Sequence, residues 1–104
     1  MSGPVLTIGR GVIADTVRMA ALGIPGVARV ARGGPGWRAI LSGPPITTHV
    51  SDAGVSVQIW IVSRPGQPLV GLAKEVRDAA AAAVERLLGM RAESIVVTVD
   101  GVGG

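Results

Sequence analysis

Apolar and polar residues alternate through the middle of the chain and then give way to a helical repeat. In Val55–Val62 every second residue is aliphatic, which is the period of a strand with one buried face. In Leu69–Leu87 aliphatic side chains recur every three or four residues, which predicts an amphipathic helix. Pro68 suits the first turn of this helix and Gly89 its C-terminal cap. We expect the apolar stripe of the helix to cover the buried face of the strand.

The flanking segments predict the rest of the fold. The other predicted elements are a strand at Val5–Ile8, a helix at Val12–Leu22, strands at Val27–Ala31 and Ile46–Val50, and a last strand at Ile95–Val99. The Gly/Pro-rich stretch 33–45 predicts a long irregular loop. The order β-α-β-β-β-α-β predicts an α+β two-layer sandwich, with two helices packed on one face of a single mixed or antiparallel sheet. A length of 104 residues favours one domain spanning 1–104.

The other face of this sheet has no predicted helix to cover it. Strand alternation would place there Thr47, His49, Ser56, Gln58, Trp60, Thr98 and Asp100. Trp60 is unusual because so large a side chain sits in the polar register. One interpretation is that its ring packs against a loop or the N-terminal segment. The other is that Trp60, Gln58 and Thr98 form an interface for another protein chain, since Trp is enriched at interface hot spots.

Composition limits the possible chemistry and location. The chain has no Cys, which excludes disulfides, thiolate nucleophiles and zinc–thiolate sites. No apolar stretch approaches the ~20 residues of a membrane span, and no secretory signal precedes the first helix. These features predict a cytoplasmic protein. The formal charge of +3 favours weak attraction to anionic partners without choosing among them.

His49 is the only histidine, and Ser51 and Asp52 lie close to it in sequence. A catalytic triad is not expected, because Asp52 falls in the predicted turn and cannot support the imidazole from behind. One His without Cys also falls short of the three or four ligands of a zinc site. The sequence therefore predicts a protein that is not an enzyme, with no catalytic residues, cofactor, metal or small-molecule substrate.

The segment around the predicted loop is basic. Arg29, Arg32, Trp37 and Arg38 form a candidate basic patch in which glycines could expose backbone amides to a phosphate. No phosphate-binding loop signature is present, so a mobile surface loop is the favoured interpretation. The alternative is a small nucleic-acid-binding module that uses these four residues.

The order and spacing of several segments resemble a known family. The matching residues are Ile8, Val12–Ala14, Ala20–Ala21 and Ile24–Val27 in the first half, and Val55–Val62, Gly66, Pro68–Val70, Ala73, Val76, Val84, Leu88–Met90, Ile95–Val99 and Gly101–Val102 in the second. Together they resemble the alkaline shock protein family, the Gls-type envelope stress response proteins of bacteria.

This resemblance implies a non-enzymatic protein of cell-envelope stress and homeostasis. It implies a scaffold or adaptor that self-associates into a homo-oligomer, and that an integral membrane anchor protein can hold at the membrane periphery. It supplies no catalytic residues.

Overall fold

The computed structural model describes residues 8–103, apart from the side chains of Arg38 and Ala39. Its elements in chain order are α1 (Arg10–Leu22), β1 (Val27–Val30), α2 (Gly36–Ser42), β2 (Ile46–Ser51), β3 (Gly54–Ser63), α3 (Leu69–Leu87) and β4 (Ala92–Val102). The predicted first strand, Val5–Ile8, lies outside the described residues except for Ile8, which belongs to no strand. None of the helices described is long and apolar enough to cross a bilayer.

Strand β3 is the centre of the sheet. Along one edge it pairs antiparallel with β2, from Ile46 opposite Ile59 to Ser51 opposite Gly54. Further along the same edge it pairs antiparallel with β1, where Val30 lies opposite Ile61. Its other edge pairs with β4 in parallel. The sheet is therefore mixed, and β1 and β2 share one edge of β3 end to end.

Helices α1 and α3 pack side by side on one face of this sheet. The core is aliphatic and consists of Ile13, Val17, Ala21, Val27, Val30, Ile46, Val55, Val57, Ile59, Ile61, Leu72, Val76, Ala80 and Val84. The buried residues of α3 fall four apart, which keeps them on one side of the helix. The predicted two-layer α+β sandwich is confirmed.

A tight hairpin joins β2 to β3, and Gly54, the first residue of β3, has to be glycine. Gly54 adopts a φ of +133°, and a Cβ there would collide with the backbone carbonyl of Arg91. The Arg91 carbonyl accepts a hydrogen bond from the Val55 amide at 2.8 Å, so the turn contacts the start of β4 directly. A side chain at this position would therefore strain the turn and displace β4 at once.

The sequence predicted a long irregular loop over 33–45, but this stretch contains the helix α2. Pro35 has a φ of −64° immediately before the helix, and Gly43 ends it with a φ of +89°. The density of Gly and Pro marks the two ends of the helix rather than a continuous loop. The spacing of Trp37, Ile40 and Leu41 is the signal that could have revealed it.

Candidate functional site

The face of the sheet opposite α1 and α3 carries most of the residues singled out in the sequence. We call it the open face, and it consists of Thr47 and His49 from β2, Ser56, Gln58 and Trp60 from β3, and Ser94, Val96, Thr98 and Asp100 from β4. Register places Gln58 between Thr47 and Val96, and Trp60 beside Thr98. The structure therefore brings the candidate interface residues Trp60, Gln58 and Thr98 together.

Trp60 packs against the chain that follows β1. The guanidinium carbon of Arg32 lies 3.4 Å from the centroid of the indole ring, which is a cation–π contact. The Arg32 Nε also donates a hydrogen bond to the Pro44 carbonyl at 3.3 Å. Of the two interpretations of Trp60, packing against a loop is the one that the structure shows within this chain.

Residues Arg32–Gly33 cross the open face as a strap. The Gly33 amide donates a 2.8 Å hydrogen bond to Oδ2 of Asp100 on β4, on the far side of β3 from β1. Val62, which shares this face, is almost fully buried. The strap therefore covers the end of the open face near Val62 and leaves the opposite end free.

The free end carries weak polar contacts. The hydroxyl of Thr47 lies 3.5 Å from Oε1 of Gln58, and the hydroxyl of Ser56 lies 3.4 Å from Oε2 of Glu93. His49 lies opposite Ser56 and is exposed. Both contacts are long and join solvent-exposed groups, so each is weak.

The candidate basic patch is split by the fold. Arg29 lies opposite Val62 on β1 and is exposed, whereas the Arg32 guanidinium is engaged with Trp60. Trp37 lies on α2 with its ring exposed, and the side chain of Arg38 is outside the described part of the structure. This arrangement does not favour the nucleic-acid alternative, because a phosphate-binding Arg must be free to turn outward.

An apolar groove that sequence analysis did not anticipate runs between α3 and β4. Its volume is about 510 Å³, and it is lined by Leu69, Val70, Ala73, Lys74, Arg77, Ile95, Val96, Val97 and Val99. The groove lies beside the outer edge of β4, whose only strand partner within residues 8–103 is β3. Unpaired edge strands are templates for pairing with another chain.

Removing the Arg32 guanidinium from the face of Trp60 is expected to change both the fluorescence of the indole and the stability of the fold. In a Trp37→Phe background, which leaves Trp60 as the only indole, Arg32→Ala should shift the emission to longer wavelength because the ring gains water. It should also lower the free energy of unfolding by about 1 kcal/mol. Arg32→Lys is the matched control, because it keeps the charge but loses the planar guanidinium. Unchanged emission in Arg32→Ala would show that Arg32 does not cover the ring in solution.

Comparison with known proteins gives a likeness of fold. No protein-family model matches the chain, and no curated protein sequence matches it either. Among solved structures, a copper form of the MamM CTD superposes with a TM-score of 0.57 at 21% identity, over 88% of this chain and 85% of that one. A second MamM CTD structure gives 0.58 at 20% identity, over 89% and 99%.

These matches show that the wrong relative was inferred from the sequence. The structural neighbours are the C-terminal domain of a cation diffusion facilitator, not alkaline shock proteins. The expected role in cell-envelope stress falls with that resemblance. The residues that suggested it are aliphatic helix and strand positions and Gly/Pro turns, which many sheet-and-helix folds require for packing alone.

The copper in one MamM structure raises the question of a metal site here. Within residues 8–103 no three His, Asp or Glu side chains come together in a group that could hold a metal ion. A protein site for a transition metal commonly takes three or four ligands. The described residues therefore do not fit a copper site.

Proposed function

We propose that this chain is a non-enzymatic adaptor domain that self-associates through the outer edge of β4 and the adjoining groove. The observation that carries the proposal is the outer edge of β4, an eleven-residue strand beside an apolar groove, with which no other strand of residues 8–103 pairs. A second copy that adds its own β4 would satisfy the edge backbone groups and cover the apolar lining. Edge pairing of this kind supplies main-chain hydrogen bonds, while the groove supplies apolar burial.

The likeness to the MamM CTD supports an accessory role rather than a catalytic one. That domain belongs to a cation diffusion facilitator, which supports an integral membrane protein as a further partner of this chain. The contacts at the free end of the open face also support a role without catalysis, since the hydrogen bonds of Thr47 and Ser56 there are long and exposed.

Self-association is tested by the molar mass of the purified chain across a concentration series, measured by light scattering. We expect the mass to rise from monomer toward dimer. Val96 lines the groove and is 47% exposed, so Val96→Glu should leave the fold intact while placing like charges near each other in the dimer. The dissociation constant should increase roughly tenfold or more.

The matched control is Val12→Glu, because Val12 is 52% exposed on α1, away from β4. Val70→Glu, on the helical side of the groove, should weaken the dimer as Val96→Glu does. A monomeric mass at every concentration would contradict the proposal. Equal weakening by Val12→Glu and Val96→Glu would place the contact elsewhere.

A further inference from the structure

Helix α2 exposes three large apolar side chains close together. Trp37, Ile40 and Leu41 are 66%, 81% and 78% exposed, respectively. Their spacing of three and four residues places them on one side of the helix. Exposed apolar side chains grouped in this way indicate a contact surface, whereas isolated ones do not.

Hydrogen bonds anchor the chain on both sides of α2. Before it, the Gly33 amide is bound to Asp100, and after it, the Pro44 carbonyl accepts a hydrogen bond from Arg32. Within residues 8–103 α2 makes no substantial packing contact with another helix or strand. Both anchors lie at the open face, so α2 projects from the side of the sheet opposite α1 and α3. Its apolar side chains are therefore presented outward without being needed for the core.

The charge of the surrounding chain is one-sided. Residues 16–51 contain no Asp or Glu and four Arg, namely Arg18, Arg29, Arg32 and Arg38. The rest of the chain holds six basic and seven acidic residues. Three of these arginines, Arg29, Arg32 and Arg38, lie in β1, the strap and α2, whereas Arg18 lies on α1. Asp100, which accepts the hydrogen bond from Gly33, is an acidic residue at the strap, so the surroundings of α2 keep an excess of positive charge. Long-range attraction to an anionic surface follows from such a distribution.

We propose that α2 inserts Trp37, Ile40 and Leu41 into the interfacial region of an anionic lipid bilayer. A helix that carries Trp and aliphatic residues on one side, within a segment that contains several Arg, has the composition of a segment that lies in the membrane interface. Arg29, Arg32 and Arg38 lie in β1, the strap and α2, and their net charge supplies the attraction to anionic headgroups. This long-range attraction does not require a guanidinium that is free to bind a phosphate directly. The inserted side chains supply apolar burial.

A second copy of this chain is a poorer occupant for the same surface. In a symmetric contact each α2 would face the other α2, so two segments without a single acidic residue would meet. Like charges opposed across an interface disfavour association. The anionic bilayer matches the charge of the segment, and it is independent of the β4 edge used for self-association.

The test is co-sedimentation with vesicles of phosphatidylcholine alone and of phosphatidylcholine with phosphatidylglycerol. The wild-type chain should bind the anionic vesicles, bind the neutral ones far less, and dissociate as salt is raised. A Trp60→Phe variant, which keeps Trp37 as the only indole, should show an emission shift to shorter wavelength on the anionic vesicles. Ile40→Asp should reduce the partition coefficient by roughly tenfold or more.

The matched control is Met19→Asp. Met19 is also apolar, exposed and within residues 16–51, but it lies on α1, so the variant changes the charge equally without touching α2. Vesicle binding by Met19→Asp should stay close to wild type, and circular dichroism should show both variants folded. Failure of the wild type to bind anionic vesicles at low salt, or equal loss in the two variants, would overturn the proposal.

Two other outcomes would assign α2 to a different partner. If Ile40→Asp lowers the molar mass of the assembly in solution without changing vesicle binding, α2 is a contact between protein chains and the proposal is wrong. If a single-stranded oligonucleotide binds through Trp37 while anionic vesicles do not bind, the surface serves nucleic acid instead. Neither result alters the Val96→Glu test of the β4 edge, so the two proposals fail separately.

Discussion

Replacing Ile59 with alanine is expected to lower the free energy of unfolding by about 4 kcal/mol. The Ile59 side chain is fully buried in the central strand, between Ile46 on β2 and Val97 on β4, and below the layer formed by α1 and α3. Truncation removes apolar contacts and leaves a cavity that the neighbouring strands cannot close without losing their register. The expected loss is large because Ile59 lies in the central strand of the sheet and is covered by the helix layer.

Denaturant unfolding followed by circular dichroism measures this loss. Ile40→Ala is the matched control, because Ile40 is exposed on α2, and it should change the free energy of unfolding by less than about 0.5 kcal/mol. If Ile59→Ala cost no more than its control, β3 could not be the centre of the core.

Gly33→Ala should lower the free energy of unfolding by about 3 kcal/mol, nearly as much as Ile59→Ala. A Cβ at this position would overlap the backbone carbonyl oxygen of Asp100, so either the strap or the end of β4 must move. That movement would also break the hydrogen bond from the Gly33 amide to the Asp100 carboxylate. An unmade hydrogen bond to a charged group adds to the steric cost.

Gly36→Ala is the control for Gly33→Ala. A Cβ at Gly36 meets no atom within 4 Å, and the residue lies at the start of α2, where alanine is favourable. Thermal unfolding should separate the two variants clearly. Emission from Trp60 adds a local readout, because a displaced strap would lift Arg32 from the ring. Equal melting temperatures for the two variants would show that the strap does not lie against β4.

The layers of this fold could be predicted because short-range patterns determine them. The alternation in β3 and the stripe on α3 each identify a buried side, and together they define the sandwich. The parallel pairing of β4 fits the same pattern, since a helix of the length of α3 can carry the chain back across the sheet. Alternation alone predicted seven of the nine open-face residues, the exceptions being Ser94 and Val96 on β4.

The strap and the groove could not be predicted in the same way. Gly33 and Asp100 are 67 residues apart, and neither carries a local signal for the other. The contact between Arg32 and Trp60 likewise depends on where the chain goes after β1. The resemblance to alkaline shock proteins failed for a related reason. It depended on residues that build helices, strands and turns, and such residues identify an architecture more readily than a family.

The shared edge of β3 has a consequence for how this architecture can change. Because β1 and β2 are each aligned by β3, the part of their connection that lies between the strap and Pro44 can be lengthened or replaced without altering either alignment. Doubling such a connection costs only about 0.6 kcal/mol of closure entropy. New recognition segments could therefore be acquired here during evolution, or grafted by an engineer, while the remaining scaffold keeps its shape.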